Sequence, residues 1–533
     1  MRALLANLGF VLQISGIFIV IPIILSFINN ELVATVGFFI TATIFLVLGF
    51  AFNAFCERRE LSYKSSCALF VLVFILLSVI GAIPYIYVNF SNGDIIRTIS
   101  DSIFESASGF TTTGFSVIPD ISALPESLVF YRALTQFIGG IGIVLVLLSF
   151  FYPEEKLKDF AKLMGFTANW KIKKTFLLIL LVYCFYTGVL IIASLAFGYH
   201  DIVKAVSFVF SAIATGGFTP INDITSVAMS FPMNVVLVVG MVLGASNFFI
   251  IAGLFKRRFK EFFISEFSVF FVMAVVAISV TTVFFSLSLE ESIFHIISGM
   301  TNTGFSYVSV AEFTVGLKLF LVFLMLVGGA SFSTAGGFKI FRFVLMIKAA
   351  RKTVYEGITG REYTITLFGR VYSNASVIQA IVVVLLFITV VFFSAFIVSS
   401  YGYPLVDSLF ETTSATATTG LGTGIINPSL VLELKWLFIC LMILGRVEIF
   451  AVLTMFSRAK EPVVETADSM STEEEEEEVN DQVQITKQFT CPSCGTTVTV
   501  TGPPGINRTV SCSSCGTKGF VILKENSSQM NEE

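Results

Sequence analysis

The sequence predicts an all-α polytopic membrane protein of about ten transmembrane helices, with a small β module near its C-terminal end. Three observations predict it. Of 533 residues, 55% are hydrophobic and only 13% charged, with a mean hydropathy of +0.88, whereas soluble domains are about a quarter charged. The apolar residues fall into runs of about 20 or more, the length a helix needs to cross a hydrocarbon layer ~30 Å thick. Between those runs a polar, glycine-bearing string recurs four times. Charge divides the chain further: residues 461–533 hold 13 acidic and 4 basic side chains, net −9, and residues 1–460 hold 24 acidic and 29 basic, net +5.

The apolar runs lie near 4–28, 33–54, 65–89, 128–151, 175–198, 232–255, 265–288, 316–350, 375–400 and 431–456. The first is longer than a signal-peptide core and leads through Asn29-Asn30-Glu31 into the second without a cleavage site, so it reads as a retained helix. Basic residues follow alternate runs: Arg58, Arg59 and Lys64; Lys156 to Lys174; Lys256 to Lys260; Lys348 to Arg370; Arg458 and Lys460. By the positive-inside rule these loops and both termini are expected on the cytoplasmic side of a cell membrane. The intervening segments near 90–127, 199–231, 289–315 and 401–430 are poor in basic residues and face outside. Each contains an apolar stretch of only ten to fifteen residues, the length of a re-entrant segment. The expected organisation is a two-helix segment over 1–60, a four-unit membrane domain over 61–460, an acidic linker over 461–487, a cysteine-bearing module over 488–524 and a tail over 525–533.

The four outside segments align on Gly114, Gly217, Gly304 and Gly420, in the strings SGFTTTGF, SAIATGGF, SGMTNTGF and SATATTGL. Six residues earlier stands a serine (Ser108, Ser211, Ser298, Ser414), and five earlier a small residue (Gly109, Ala212, Gly299, Ala415). Two earlier stand Thr112, Thr215, Asn302 and Thr418. Thirteen earlier stand Asp101, Lys204, Glu291 and Asp407, three of them acids expected at the start of a short helix, where negative charge suits the helix dipole. Close helix packing through small residues is the plainer explanation. Packing does not, however, require a polar strand at one fixed distance after a short helix, four times over. Each copy therefore reads as a span, a short helix, a Thr/Gly strand and a second span.

Non-helical backbone at membrane depth costs several kcal/mol per unsatisfied group unless it lines water or binds something, in round figures. Four such strands must share one aqueous axis, giving four pseudo-repeated helix–pore loop–helix units around one pore. Thr and Gly backbones can turn carbonyl oxygens inward to replace a cation's hydration shell. The expected ion-binding set is Thr111, Thr112, Thr113 and Gly114; Ala214, Thr215, Gly216 and Gly217; Thr301, Asn302, Thr303 and Gly304; Ala417, Thr418, Thr419 and Gly420. None of these carries a carboxylate. Neutral dipoles suit a large monovalent ion such as K+ better than Ca2+ or Mg2+.

In these strings, in YRALTQFIGGIGIV (131–144), in GGASFSTAGGFKIFR (328–342) and in LGRVEIF (444–450), the chain resembles the Trk/Ktr/HKT superfamily of potassium transporters, specifically the TrkH-like membrane subunits, over about residues 1–460. The resemblance implies K+ uptake across the cell membrane, with Na+ as competitor or companion, and a homodimeric subunit in the lipid bilayer. It also implies a cytosolic nucleotide-binding regulator of the TrkA/KtrA type. The chain itself has no phosphate-binding glycine motif in a strand–helix context, so nucleotide control would act in trans.

The run 316–350 is interrupted by Gly328-Gly329-Ala330-Ser331-Phe332-Ser333-Thr334-Ala335-Gly336-Gly337. Four glycines and three hydroxyl residues do not hold a firm helix. The segment reads either as a tight helix crossing or as a broken helix whose loop lies across the pore; the resemblance favours the second, an intramembrane gate containing Gly328, Gly329, Ser331, Ser333, Thr334, Gly336 and Gly337. Arg446 lies in the last span, too far from its end to reach water easily. It is read as a positive charge in the permeation path, or alternatively as paired with backbone carbonyls. Glu105 and Glu411, with His295 at the matching position, are expected to tie the short helices to their surroundings.

After Lys460 hydrophobicity collapses, and Glu473 to Glu478 form an unbroken acidic run. Cys491-Pro-Ser-Cys494 and Cys512-Ser-Ser-Cys515 follow, with seventeen residues between the pairs. This is zinc-ribbon spacing, in which four thiolates complete a structural Zn2+ site; two redox disulfides or an untenanted relic of such a site are the alternatives. No enzyme is expected, because His200 and His295 have no partners at metal or nucleophile–base spacing. Two other functions stay open at this level: a Na+-selective or Na+/K+-coupled transporter, and a receptor that uses the pore scaffold to signal through the zinc module. No nucleic-acid partner is expected.

Overall fold

The computed structural model describes residues 2–56, 61, 63–91, 94–150, 172–228, 230–254, 264–368, 370–456, 485–490, 493–502, 507–511, 514–515 and 518–522. The chain forms two compact bodies, Met1–Ser457 and Arg458–Glu533. Each of the ten apolar runs contributes helix among the described residues. The N-terminal pair comprises Arg2–Phe18 continued by Val20–Ile28, and Leu32–Phe55. Repeat 1 has Tyr63–Ile80 with Ile83–Val88, the short pore helix Ile95–Phe110, and Glu126–Phe150. Repeat 2 has Ile172–Ala196, pore helix Ile202–Ile213, and Phe231–Ala245 with Phe248–Leu254. Repeat 3 has Glu266–Phe284, pore helix Leu289–Met300, and Val315–Val327 with Ile340–Thr359; repeat 4 has Asn374–Ser400, pore helix Leu405–Thr416, and Leu432–Val447 with Ile449–Phe456.

Among the described residues, five helices are each long and apolar enough to cross a membrane: Arg2–Ile28, Leu32–Phe55, Lys64–Val88, Glu266–Phe284 and Asn374–Ser400. The returning helices of repeats 2, 3 and 4 are each broken. The interruption expected in repeat 3 spans residues 328–339. The breaks in the other two repeats depart from the continuous runs 232–255 and 431–456. In repeat 2 the helix stops at Ala245 because the repeat 3 loop supplies the donors that a further turn would have supplied: Ala330 N–H donates to the Ala245 carbonyl at 3.0 Å and Thr334 N–H to the Gly244 carbonyl at 3.1 Å. In repeat 4 the break falls at Glu448, whose φ of +66° ends the helix.

Three pore helices begin on side-chain caps. Asp94 accepts from Arg97 N–H and Asp201 from Lys204 N–H, each at 3.0 Å, and Ser288 and Glu291 form a reciprocal capping box. Glu291 and Asp407 lie in the first turn, as the repeat suggested. Asp101 does not, because its helix starts at Ile95. Its carboxylate is instead buried against Lys435 of repeat 4, and also accepts from Ser91 at 2.8 Å. An equivalent pair joins Lys318 of repeat 3 to Asp407 of repeat 4 at 2.8 Å. In both cases a lysine on a returning helix reaches the pore helix of the next repeat, so ion pairs clamp the 3–4 and 4–1 boundaries. The N-terminal pair docks on repeat 1 through Glu31, which accepts from Glu126 N–H at 2.7 Å and Ser127 N–H at 3.1 Å and so caps the helix Glu126–Phe150.

The second body contains two antiparallel hairpins. Ile485–Thr490 pairs with Thr497–Gly502, and Asn507–Ser511 with Lys518–Ile522.

Removing one partner of a buried ion pair leaves an uncompensated charge and costs about 3–5 kcal/mol. Lys435→Ala is therefore expected to lower the thermal unfolding midpoint in detergent markedly, and the double substitution Asp101→Ala with Lys435→Ala to restore part of the loss. A single variant as stable as the native chain would show that the 4–1 clamp carries no load.

Candidate functional site

Each pore helix ends the same way, and the serine and small residue of the repeated string explain how. The N–H groups of Thr113, Gly216, Thr303 and Thr419 donate to the carbonyls of Ser108, Ser211, Ser298 and Ser414 at 2.7–2.9 Å. Those of Thr112, Thr215, Asn302 and Thr418 donate to Gly109, Ala212, Gly299 and Ala415 at 3.0–3.2 Å. This is a Schellman closure in four copies. Its left-handed residue is not glycine: Thr112, Thr215, Asn302 and Thr418 hold φ of +50° to +55°. The next residue returns to negative φ, and Gly114, Gly217, Gly304 and Gly420 are positive again at +77° to +91°. Successive carbonyls of an ordinary strand point to opposite sides; alternating the sign of φ brings them toward one side. The closure thus satisfies the two backbone donors that follow each pore helix.

The four strands form a closed ring. A β-carbon built on Gly114 would lie 2.1 Å from the Gly216 carbonyl oxygen; one on Gly217, 2.2 Å from Thr303 O; one on Gly304, 2.0 Å from Thr419 O; and one on Gly420, 2.0 Å from Thr113 O. Each glycine therefore abuts the strand of the next repeat, and the fourth returns to the first. Of the sixteen residues expected to bind the ion, these four glycines alone are partly exposed, and the rest are buried. A second set of glycines, on the returning helices, lets the helices press against the pore-helix ends. A β-carbon on Gly139 would lie 2.0 Å from Phe110 O, one on Gly244 2.2 Å from Ile213 O, and one on Gly445 1.9 Å from Thr416 O.

The segments leaving the ring are anchored by buried side chains. Glu105 accepts from Ser116 Oγ at 2.8 Å and Val117 N–H at 2.6 Å, with Arg132 Nε 3.5 Å away. Glu411 accepts from the N–H groups of Thr423, Ile425 and Ile426 at 2.8–2.9 Å. His295 contacts Ser306 Oγ at 3.1 Å. Repeat 2 has Phe208 at this position, and its outgoing strand is held by repeat 1 instead: Gln136 donates to Gly216 O at 2.6 Å and accepts from Phe218 N–H, while Arg132 donates to Thr219 O and stacks 4.1 Å over the Phe218 ring.

The loop 328–337 lies against the inner end of these strands. A β-carbon on Gly336 would fall 1.7 Å from Ala417 O, and one on Gly328 2.8 Å from Asn302 Oδ1. Thr334 Oγ1 lies 3.0 Å from Ile213 O and accepts from Thr215 Oγ1 at 3.0 Å. Ser331 N–H donates to Glu266 at 2.5 Å, and Ser333 Oγ to Ala330 O at 2.6 Å. Gly329 packs against Ala335 and Ala245. Arg446 is buried and donates to Thr334 O at 2.6 Å and Gly139 O at 2.9 Å, so its guanidinium bridges the loop to repeat 1 through backbone carbonyls.

Sequence reasoning missed Lys318, Lys435, Gln136 and Glu266. The signal that singled out Arg446, an ionisable side chain inside or at the end of an apolar run, applies equally to Lys318, Lys435 and Glu266. In the second body, Cys494 and Cys515 sit in the turns of the two hairpins; Cys491 and Cys512 lie outside the described residues.

The family model described as TrkH, cation transport protein, matches residues 33–271 and 264–463. An uncharacterized cation transporter of Methanocaldococcus jannaschii is 30% identical over 86% of this chain and 95% of its own length. The Trk system potassium uptake protein TrkH of Escherichia coli K12 is 27% identical over 75% of this chain and 86% of its own. The crystal structure of the potassium transporter TrkH from Vibrio parahaemolyticus superposes with a TM-score of 0.75 at 23% identity, covering 86% of this chain and 98% of that one, a likeness of fold.

Gly304→Ala would place a methyl group into Thr419 O and force a side chain onto a positive φ, a backbone cost of ~1–2 kcal/mol before the clash. With 1.4 kcal/mol equal to a factor of ten, cation flux through reconstituted protein is expected to fall by roughly tenfold or more. Native flux from this variant would mean that the ring does not conduct.

Proposed function

The chain belongs to the TrkH family of cation transport proteins, multi-pass membrane proteins that are not enzymes, and on that footing we propose that it takes up K+ across the cell membrane through the ring of Gly114, Gly217, Gly304 and Gly420. The observation that carries this reading is the closed ring with its donors already satisfied. Neutral carbonyls of Thr113, Gly216, Thr303 and Thr419 stand at its glycine contacts, and no carboxylate belongs to the sixteen residues. Such a field replaces the hydration of a weakly hydrated monovalent ion and lacks the charge that a divalent ion demands.

The loop 328–337 is the gate in this reading, and Arg446 its brace. With the loop pressed on Ala417 O the inner end of the ring is covered, and conduction requires the loop to move. The basic loops put the termini on the cytoplasmic side, where a TrkA/KtrA-type nucleotide-binding subunit would move the gate; the working unit is a homodimer. In the second body, Cys491, Cys494, Cys512 and Cys515 hold Zn2+. Each hairpin turn presents the second cysteine of its pair, and Gly495, at φ +74°, lets the first turn bend sharply. Bound zinc supplies folding energy that so short a segment cannot obtain from a core.

Expression in a cell deficient in K+ uptake is expected to restore growth at low external K+, and removal of residues 331–334 to raise K+ flux further. Failure to rescue while Na+ flux persists would transfer the assignment to Na+.

The purified full chain is expected to carry about one zinc, as a four-thiolate site requires. Cys491→Ser with Cys494→Ser should lose it and expose the tail to protease. A metal-free native chain with Cys491 disulfide-bonded to Cys494 would overturn the zinc assignment.

A further inference from the structure

The repeated string varies three positions before the ring glycine, with threonine in repeats 1 and 3 (Thr111, Thr301) and alanine in repeats 2 and 4 (Ala214, Ala417). The difference decides how each strand is held. In repeats 1 and 3 that threonine pairs with the threonine two residues on, Thr111 Oγ1 with Thr113 Oγ1 at 2.8 Å and Thr301 Oγ1 with Thr303 Oγ1 at 2.7 Å. Ala214 and Ala417 have no hydroxyl to offer. In both of their repeats a side-chain amide arrives from the preceding repeat instead: Gln136 of repeat 1 donates to Gly216 O at 2.6 Å, and Asn302 of repeat 3 donates to Thr419 Oγ1 at 2.8 Å.

Both amides are buried and fixed at a second point. Gln136 accepts from Phe218 N–H at 3.2 Å, so it grips the residues on either side of Gly217, and Asn302 also donates to Met325 O at 3.0 Å. Gln136 fills the space that a side chain at position 216 would take: a β-carbon on Gly216 would lie 2.3 Å from Gln136 Cδ. Glycine stands there, where the other copies carry Thr113, Thr303 and Thr419, because the incoming amide needs the room. The four residues held in these two ways are the same four whose carbonyls meet the ring glycines.

A hydroxyl pair inside one strand moves with that strand, whereas an amide reaching from the preceding repeat fixes the strand against its neighbour. The two amides act across the 1–2 and 3–4 contacts, where Gly114 meets Gly216 O and Gly304 meets Thr419 O. A carbonyl ring held to a fixed width replaces the hydration shell of K+ and fits the smaller Na+ poorly. We propose that Gln136 and Asn302 are specificity-determining residues, whose side-chain amides set the width of the ring and with it the preference for K+ over Na+. The inference rests on the K+-transport reading and adds to it what makes the ring selective. Each amide is a positioning residue that acts through the strand it holds.

The test reads reversal potentials of the full chain in planar bilayers with K+ on one side and Na+ on the other. The native chain should prefer K+ several-fold. Gln136→Met keeps the length of the side chain without its amide, and Asn302→Thr introduces the residue type that Thr112, Thr215 and Thr418 supply in the other repeats. Each should lower the K+/Na+ permeability ratio several-fold. Lys435→Ala, which loosens the 4–1 clamp and leaves both amides in place, should keep the native ratio despite its lower stability. A ratio unchanged in both amide variants overturns the inference, as does an equal fall in Lys435→Ala, which would make selectivity follow general stability. If Gln136→Met does not fold, Asn302→Thr decides in the same way. A native chain that passes K+ and Na+ equally overturns the inference and leaves cation transport standing, whereas a native chain without K+ current overturns the transport reading as well.

Discussion

The architecture depends on how a helix ends inside a membrane. A helix terminus leaves backbone groups unpaired, and no water stands by to satisfy them. Here the last turn of each pore helix folds back its own following N–H groups onto the carbonyls of the serine and the small residue upstream. Of the strand carbonyls that remain, Gly216 O accepts from Gln136 of repeat 1, and Thr113 O, Thr303 O and Thr419 O stand against the glycine of a neighbouring strand. The other features serve that arrangement. Glycines at the ring contacts admit the neighbouring strand, glycines on the returning helices admit the pore-helix ends, and buried carboxylates hold the segments that lead away.

Four similar copies do not make four equivalent quarters. Ion pairs join repeat 3 to 4 and 4 to 1, whereas repeat 2 leans on Gln136 and Arg132 of repeat 1. The long loop belongs to repeat 3, yet its donors terminate a helix of repeat 2 and its Thr334 carbonyl receives Arg446 from repeat 4. The loop is consequently tied to all four repeats, since Arg446 also holds Gly139 of repeat 1.

Much of this was legible in the chain because it is local. The ten apolar runs, the four strings and the glycine-rich interruption of repeat 3 each follow from residues close in sequence. The breaks after Ala245 and at Glu448 were not legible: the first is made by donors from another repeat, and the second by one residue whose type does not announce a positive φ. Asp101 looked like a helix-start acid, and only its approach to Lys435, 334 residues away, reveals a clamp. For Arg446 the sequence left two readings open; the contacts with Thr334 and Gly139 are of the backbone-carbonyl kind. The sixteen strand residues could be named from their repetition, but the contact of each glycine with the next repeat's carbonyl exists only in three dimensions.

The central claim is that these strands enclose one dehydrated alkali ion. Anomalous diffraction from crystals of the full chain grown in Rb+ tests it most directly. The account predicts a peak on the axis ringed by Gly114, Gly217, Gly304 and Gly420, beside the carbonyls of Thr113, Gly216, Thr303 and Thr419. Rb+ bound away from that axis, or no peak there in protein that transports Rb+, would contradict it.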